Sequence, residues 1–207
     1  LASLISACSP ILVFIGSVAL NMQKFTLKSM LGILLGFTGI IFIFWDGIGD
    51  FANPDYTRGI LYLFLGISAN AAGALYIKKT GYTNDNMLLN LFYQFTFAGI
   101  IQIGTAVFLD EEFQPSSWSM SSIIALLFLT IFASIIAYLS YIYALTKVSA
   151  VKVSLLSYIN TIIAIFLGWL VAGEKVDSKF IIATALIITG IFITNYKPGM
   201  FQARKKP

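Results

Sequence analysis

Seven stretches of nearly unbroken apolar residues run along the chain, each followed by a short polar one. They are labelled α1 (about 1–21), α2 (29–45), α3 (59–77), α4 (87–109), α5 (119–145), α6 (150–172) and α7 (179–196). The polar breaks read NMQKFTLK, DGIGDFANPDYTR, KKTGYTNDN, DEEFQPSSW, TKVSAVK and GEKVDSK, and YKPGMFQARKKP closes the chain. A helix rises about 1.5 Å per residue, so about 20 apolar residues cross a hydrocarbon slab about 30 Å thick. Strands of a membrane barrel would alternate apolar and polar positions over about ten residues, and these runs do not alternate. The pattern predicts an all-α polytopic membrane protein with seven transmembrane helices.

Composition narrows the function classes. Of 207 residues 58% are apolar, 15% aromatic and 11% charged, and the mean hydropathy is +0.89. Soluble domains run at about 45–50% apolar and about 25% charged, so a water-soluble enzyme and a disordered chain are both excluded. Cys8 is the single cysteine and there is no histidine, which leaves no internal disulfide and almost no Cys/His metal ligands. No metal and no cofactor are expected, and no catalytic residues. Thirteen Lys and Arg give a net charge of +4, spread too thinly to make a nucleic acid a partner.

The cations sort by side. With the C-terminal tail in the cytoplasm, that face carries Lys24, Lys28, Lys78, Lys79, Lys147, Lys152, Lys197, Arg204, Lys205 and Lys206, while the other carries Arg58, Lys175 and Lys179. Short cytoplasmic loops are enriched in Lys and Arg, which sets this orientation. Eight of the nine acids fall on the opposite face: Asp46, Asp50, Asp55, Asp110, Glu111, Glu112, Glu174 and Asp177. Trp45, Trp118 and Trp169 lie at the outer helix ends, where an aromatic belt sits. Seven spans then put Leu1 outside, so an odd number of preceding helices is expected; a seven-span protein with its N-terminus out is the other reading.

The α1–α2 stretch repeats in α6–α7 at an offset of 151 residues. Ser3, Leu4, Ser6, Ile11, Lys24, Lys28, Leu35, Thr38, Gly39 and Ile40 meet identical residues from Ser154 to Ile191. α1 runs outside to inside and α6 the reverse, so the copies are inverted. Inverted repeats characterise transporters, because one pattern then builds both an inward and an outward gate.

The segment AVKVSLLSYINTIIAIFLGWLVAGEKVDSKFIIATALIITGIFI resembles the last two helices of the EamA-type repeat of the drug/metabolite transporter superfamily. That pattern has a small and polar helix start, a proline near mid-helix, Gly-Glu-(Lys/Arg) thirteen residues on, and a helix ending in glycine. α1 keeps the proline (Pro10) but has Gln23 in place of the Glu; α6 keeps Glu174 but has Thr161 at the proline position. The resemblance implies that residues 59–196 are one complete five-helix repeat, that 1–45 are the last two helices of a preceding one, and that three of ten helices precede Leu1. The basic tail spans 197–207. It further implies a multi-pass protein of a bacterial inner membrane moving a small-molecule substrate, with the first, third and fourth helices of each repeat around a central cavity.

Substrate handling inside a bilayer needs polar groups at mid-depth, where charge is costly. No charged residue lies at the middle of a run; the inventory is hydroxyls and amides. α1 carries Ser3, Ser6, Pro10 and Ser17 on one face, and α6 carries Ser154, Ser157, Tyr158 and Thr161 likewise. α3 offers Ser68 and Asn70, α4 offers Asn90, Gln94 and Thr105, and α5 presents Thr130, Ser134, Tyr138 and Tyr141 as a stripe. From these the candidate substrate-binding residues are Ser6, Pro10, Ser68, Asn70, Ser134, Tyr138, Tyr141, Ser157, Tyr158, Asn160 and Thr161. Helix packing is the competing role for each hydroxyl. Pro10 frees the Ser6 carbonyl and reads as a hinge, a substrate contact or a static kink; Asn160 reads as a cavity contact or an interhelical bond. Gly32-xxx-Gly36 with Gly39 invites close approach, by α7 through Gly190 or by α2 of a second subunit in a homodimer. Lys152 anchors a helix end or attracts anionic substrates, and Glu174, Lys175 and Asp177 form an outer turn.

These features favour a transporter of a small organic solute (amino acid, metabolite or drug-like) working by alternating access. A seven-helix membrane receptor or other non-transporting membrane protein is the alternative. α7 lacks the lysine a retinal protein needs, and an intramembrane enzyme would want paired titratable groups that these runs lack.

Overall fold

The structure, a computed structural model, describes residues 2–45, 49, 51, 53–80, 87–109, 118–173 and 178–196, without the side chains of Pro54, Asp55, Ala172 and Ser178. Every expected run is helical. α1 spans Ala2–Ala19, α3 Pro54–Thr80, α4 Met87–Phe108, α5 Met120–Lys147 and α6 Ala150–Val171, all long and apolar enough to cross a membrane. α2 (Leu27–Ile43) and α7 (Ser178–Asn195) are shorter apolar helices, at the low end of what a bilayer needs. α3 begins at Pro54, ahead of its expected start, because proline at the first helical position gives up an N–H that has no partner there anyway. Lys78 and Lys79 close α3, where positive charge suits the helix dipole. Ser119 opens α5 by accepting from the Ser122 N–H at 3.1 Å.

Three helices depart from the uniform rods that the pattern predicts. α1 is interrupted between Ala2–Ser6 and Ser9–Ala19, and α6 between Ala150–Ser154 and Leu156–Ala172. Pro10 accounts for the first break, since it has no N–H and its ring crowds the preceding turn. At the second, the Tyr158 N–H donates to the Leu155 carbonyl at 3.1 Å rather than to Ser154. In α5 the stretch Leu129–Ala137 is π-helical, a wider form that recurs at functional sites.

Two units partition the chain: Leu1–Lys79 with Val148–Pro207, and Thr80–Lys147. In the first, α2 and α7 make the most extensive contact, and they run antiparallel. A Cβ added to Gly39 would lie 2.8 Å from both the Ala183 carbonyl and Ile187, while one on Gly190 would meet the Gly32 carbonyl and lie 2.7 Å from the Gly36 nitrogen. The repeat offset turns Gly39, Ala183 and Ile187 into Gly190, Gly32 and Gly36, so the two contacts are one contact seen from either copy. α7 is therefore the neighbour that the glycines of α2 receive. Lys28 at the start of α2 donates to the Tyr196 carbonyl, and its ammonium stands 4.4 Å from the centroid of the Tyr196 ring, tying the two ends together. Each hairpin turn uses a left-handed residue, Asn21 (φ 55°) and Gly173 (φ 67°), conformations that Gly and Asn accept most readily.

Tyr158 is fully buried in this unit. Its hydroxyl donates to the Ile33 carbonyl at 3.1 Å, and its ring fills the space beside Gly36. Tyr158→Phe removes that bond and nothing else. It is expected to destabilise the protein by about 0.6–1 kcal/mol, in line with interhelical bonds in membranes, measured as a small shift in the denaturant midpoint in detergent.

In the second unit the Tyr138 hydroxyl donates to Gln94 Oε1 at 3.1 Å, and its ring lies 5.5 Å from Phe95 and 6.1 Å from Tyr141. Much of α4 and α5 is exposed, including Ile101, Ile103, Leu126, Leu127 and Phe128. In a bilayer such surface needs no water, since a helix satisfies its own backbone groups.

Candidate functional site

The break in α1 separates two faces that a straight helix would align. Pro10 and Ser17 are buried, the latter donating to the Val13 carbonyl at 2.6 Å, whereas Ser3 and Ser6 stay exposed. The segment Ser9–Ala19 packs on Ala150–Ser154 at the start of α6. Beyond that contact Ala2, Ser3, Ser6 and Ala7 face Ser157, Asn160, Thr161, Ala164 and Ile165 across a cleft of about 400 Å3, with Phe44 in its wall. α1 and α6 thus run antiparallel and pack together toward one end. Asn160 and Thr161 stand midway along the Ala150–Val171 span. Two other cavities in this unit, about 300 and 560 Å3, are walled almost entirely by apolar side chains such as Phe14, Ile33, Ile41 and Phe64. A polar solute finds hydrogen-bonding partners in the first cleft and almost none in the others.

The hydrogen bonds inside the cleft wall follow from the broken helices. The Ser157 hydroxyl donates to the Ser154 carbonyl at 2.6 Å, and the Thr161 hydroxyl donates to the Ser157 carbonyl at 3.1 Å. Ser154, named with them from sequence, is buried and donates to the Val151 carbonyl at 2.8 Å. Among the described residues, the side chains of Ser3, Ser6 and Asn160 bond to nothing. None of the residues lining the cleft is charged.

Of the candidates read from sequence, the structure brings Ser6, Ser157, Asn160 and Thr161 together. Two are corrected. Tyr158 points away from the cleft into the α2 contact, because one turn of helix cannot aim positions 157 and 158 the same way. Pro10 is buried below the cleft and shapes it through the break rather than lining it. Ser68 is half-buried with its hydroxyl donating to the Phe64 carbonyl at 2.7 Å, and Asn70 is exposed; neither lines the cleft. Ser134, Tyr138 and Tyr141 are half-buried in the second unit, Ser134 within its π-helical stretch. Lys152 is exposed in the last turn of Ala150–Ser154 and is not part of the cleft wall. The turn of Glu174, Lys175 and Asp177 lies outside the described residues, as do the other acidic side chains and the basic tail.

Sequence reasoning named Ser3 and Gln94 without choosing either, and passed over Phe44 and Ala164. Ala164 had a signal: with Ser157 and Thr161 it continues one helical stripe at spacings of four and three. Phe44 had none, since it reaches the cleft from the end of another helix.

Residues 57–196 match the EamA-like transporter family. The chain is similar to the uncharacterized transporter YvbV of Bacillus subtilis, 27% identical over 179 residues covering 86% of this chain and 56% of that protein. It is similar to Protein PagO of Salmonella typhimurium, 27% identical over 194 residues covering 94% and 63%. It is also similar to the uncharacterized inner membrane transporter YedA of Escherichia coli, 23% identical over 173 residues covering 84% and 54%. The chain spans between about half and two thirds of the length of these relatives. With its apolar helices, small-residue helix contact and match over residues 57–196, the chain is a multi-pass α-helical membrane protein belonging to the EamA-like transporter family of the drug/metabolite transporter superfamily.

Proposed function

We propose that the protein carries a small organic solute across the cell membrane by alternating access, with the α1–α6 cleft as part of the substrate route. The observation that carries this reading is a cleft with uncharged polar groups, reaching the middle of α6, between two helices that are inverted copies of one sequence. Helices related in this way can exchange roles: the end where they now pack can open as the other closes. Each already has a bending point, at Ala7–Cys8 and at Leu155. With the tail in the cytoplasm, the open side of the cleft faces outward, and Trp45 and Trp169, both about half exposed, sit at that interface. The membrane is proposed to be a bacterial inner membrane, residues 1–45 the end of a first repeat, and residues 59–196 a complete second one. Ser134 in α5, and Ser68 and Asn70 in α3, are proposed as polar groups met by the solute on the strength of their mid-span depth, and Tyr138 and Tyr141 on the stripe they continue from Ser134.

Single cysteines in a Cys8→Ser background test the inverted arrangement. In intact cells Val176→Cys is expected to react with a membrane-impermeant maleimide, and Lys24→Cys only after permeabilisation; labelling of both from one side overturns the reading. For a solute found to exchange across proteoliposomes holding the full chain, Asn160→Ala with Thr161→Val is expected to slow exchange by about tenfold, the value of one or two buried hydrogen bonds.

A further inference from the structure

The same cleft carries information about what enters it. A hydroxyl has one proton, and those of Ser157 and Thr161 are spent on the carbonyls of Ser154 and Ser157. The first of these bonds is not easily given up. In a regular helix the Ser154 carbonyl would receive the N–H of Tyr158, but that N–H goes to Leu155 at the break. The Ser157 hydroxyl takes its place, and turning it away would leave the carbonyl of a buried residue without a donor. The Ser157 oxygen therefore offers lone pairs alone, and the Thr161 oxygen does so while its hydroxyl keeps the bond to the Ser157 carbonyl. On the facing wall Pro10 has no N–H for the Ser6 carbonyl, which adds an acceptor on the turn of α1 that lines the cleft. Ser3, Ser6 and Asn160 are uncommitted and can adapt to either kind of partner. The cleft is rich in acceptors, with no cation to balance an anion.

We infer that the cleft selects solutes that present an N–H donor group, a primary ammonium or a primary amide, and rejects carboxylates. This rests on the cleft being the substrate site. An entering carboxylate would set its lone pairs against those of Ser157 and Thr161 and lose its hydration without a counter-charge. An ammonium or amide meets acceptors placed to receive it.

Four probes of one shape separate the possibilities: 2-phenylethylammonium, 3-phenylpropanamide, N,N,N-trimethyl-2-phenylethylammonium and 3-phenylpropionate. Affinities for the full chain in nanodiscs are read from tryptophan fluorescence against empty nanodiscs. The ammonium and the amide are expected to bind about tenfold or more tightly than the other two, with Thr161→Val shrinking that ratio severalfold and Ser6→Ala as a second variant. A preference for the trimethylated cation equal to that for the primary one would show that charge rather than N–H donation is read, and overturns the inference. So does a carboxylate that binds as well as the amide, or no binding of any probe. If Thr161→Val weakens all four equally, the cleft is the site and the donor rule falls. If the donor preference stands but ignores both substitutions, the cleft is not where it arises, and the site reading falls with it.

Discussion

Gly190→Val is expected to leave almost no folded protein, and Gly190→Ala to cost about 2–3 kcal/mol. The first carbon of any side chain at this position would overlap the Gly32 carbonyl and stand 2.7 Å from the Gly36 nitrogen and 3.1 Å from the Gly36 Cα. These are backbone atoms of another helix and cannot rotate aside, so the helices must separate along their length. Overpacking a tight contact costs about 1–3 kcal/mol even where side chains can give way, and here the contact is the largest in its unit. Separation would also pull Tyr196 from Lys28 and open the space that Tyr158 fills. Gly104→Ala is the control: nothing lies within 4 Å of its added carbon, and alanine is the better helix former by about 0.5–1 kcal/mol. Unfolding in mixed detergent micelles, followed by circular dichroism, checks both. A Gly190→Ala midpoint equal to that of the parent would mean that α2 and α7 do not pack as described.

What the sequence made legible follows from which physics is local. Runs of about 20 apolar residues reveal spans because the bilayer imposes one length on every helix, so all seven were readable to within a few residues. The α2–α7 contact was readable too, because Gly32, Gly36 and Gly39 mark a face with no side chains and the repeat supplies Gly190 as its counterpart. Ser6 and Ser157 could be found because the offset matches their hydroxyls, and Thr161 because it continues the Ser157 face one turn on. Tyr158 could not be separated from them, since a helix that is apolar all round gives no sign of which face meets a neighbour. The break at Leu155 was hidden as well. It has no proline or glycine, and depends on Ser157 replacing a backbone donor. LTIFASIIA, the π-helical stretch of α5, holds nothing that a helix of ordinary pitch would not accept.

Ala164→Trp is expected to reduce transport by about twentyfold or more while leaving the protein folded and inserted. Ala164 lines the cleft with a single methyl group, opposite the small residues Ala2, Ser3 and Ala7. An indole there occupies much of a cavity of about 400 Å3, leaving a solute neither room nor access to Asn160 and Thr161. It also wedges α1 and α6 apart at the end that the proposed alternating access would have to close. The consequence is a protein held in one of its two states. Ile163→Trp is the matched control. Ile163 is the preceding residue, 48% exposed and absent from the cleft wall, and an indole there would replace one exposed apolar side chain with another. Transport by that variant is expected to stay within about twofold of the parent, as for other exposed substitutions. Equal losses from both variants would trace the defect to a bulky ring anywhere on α6 and not to the filled cleft. Equal retention would mean that the solute passes elsewhere.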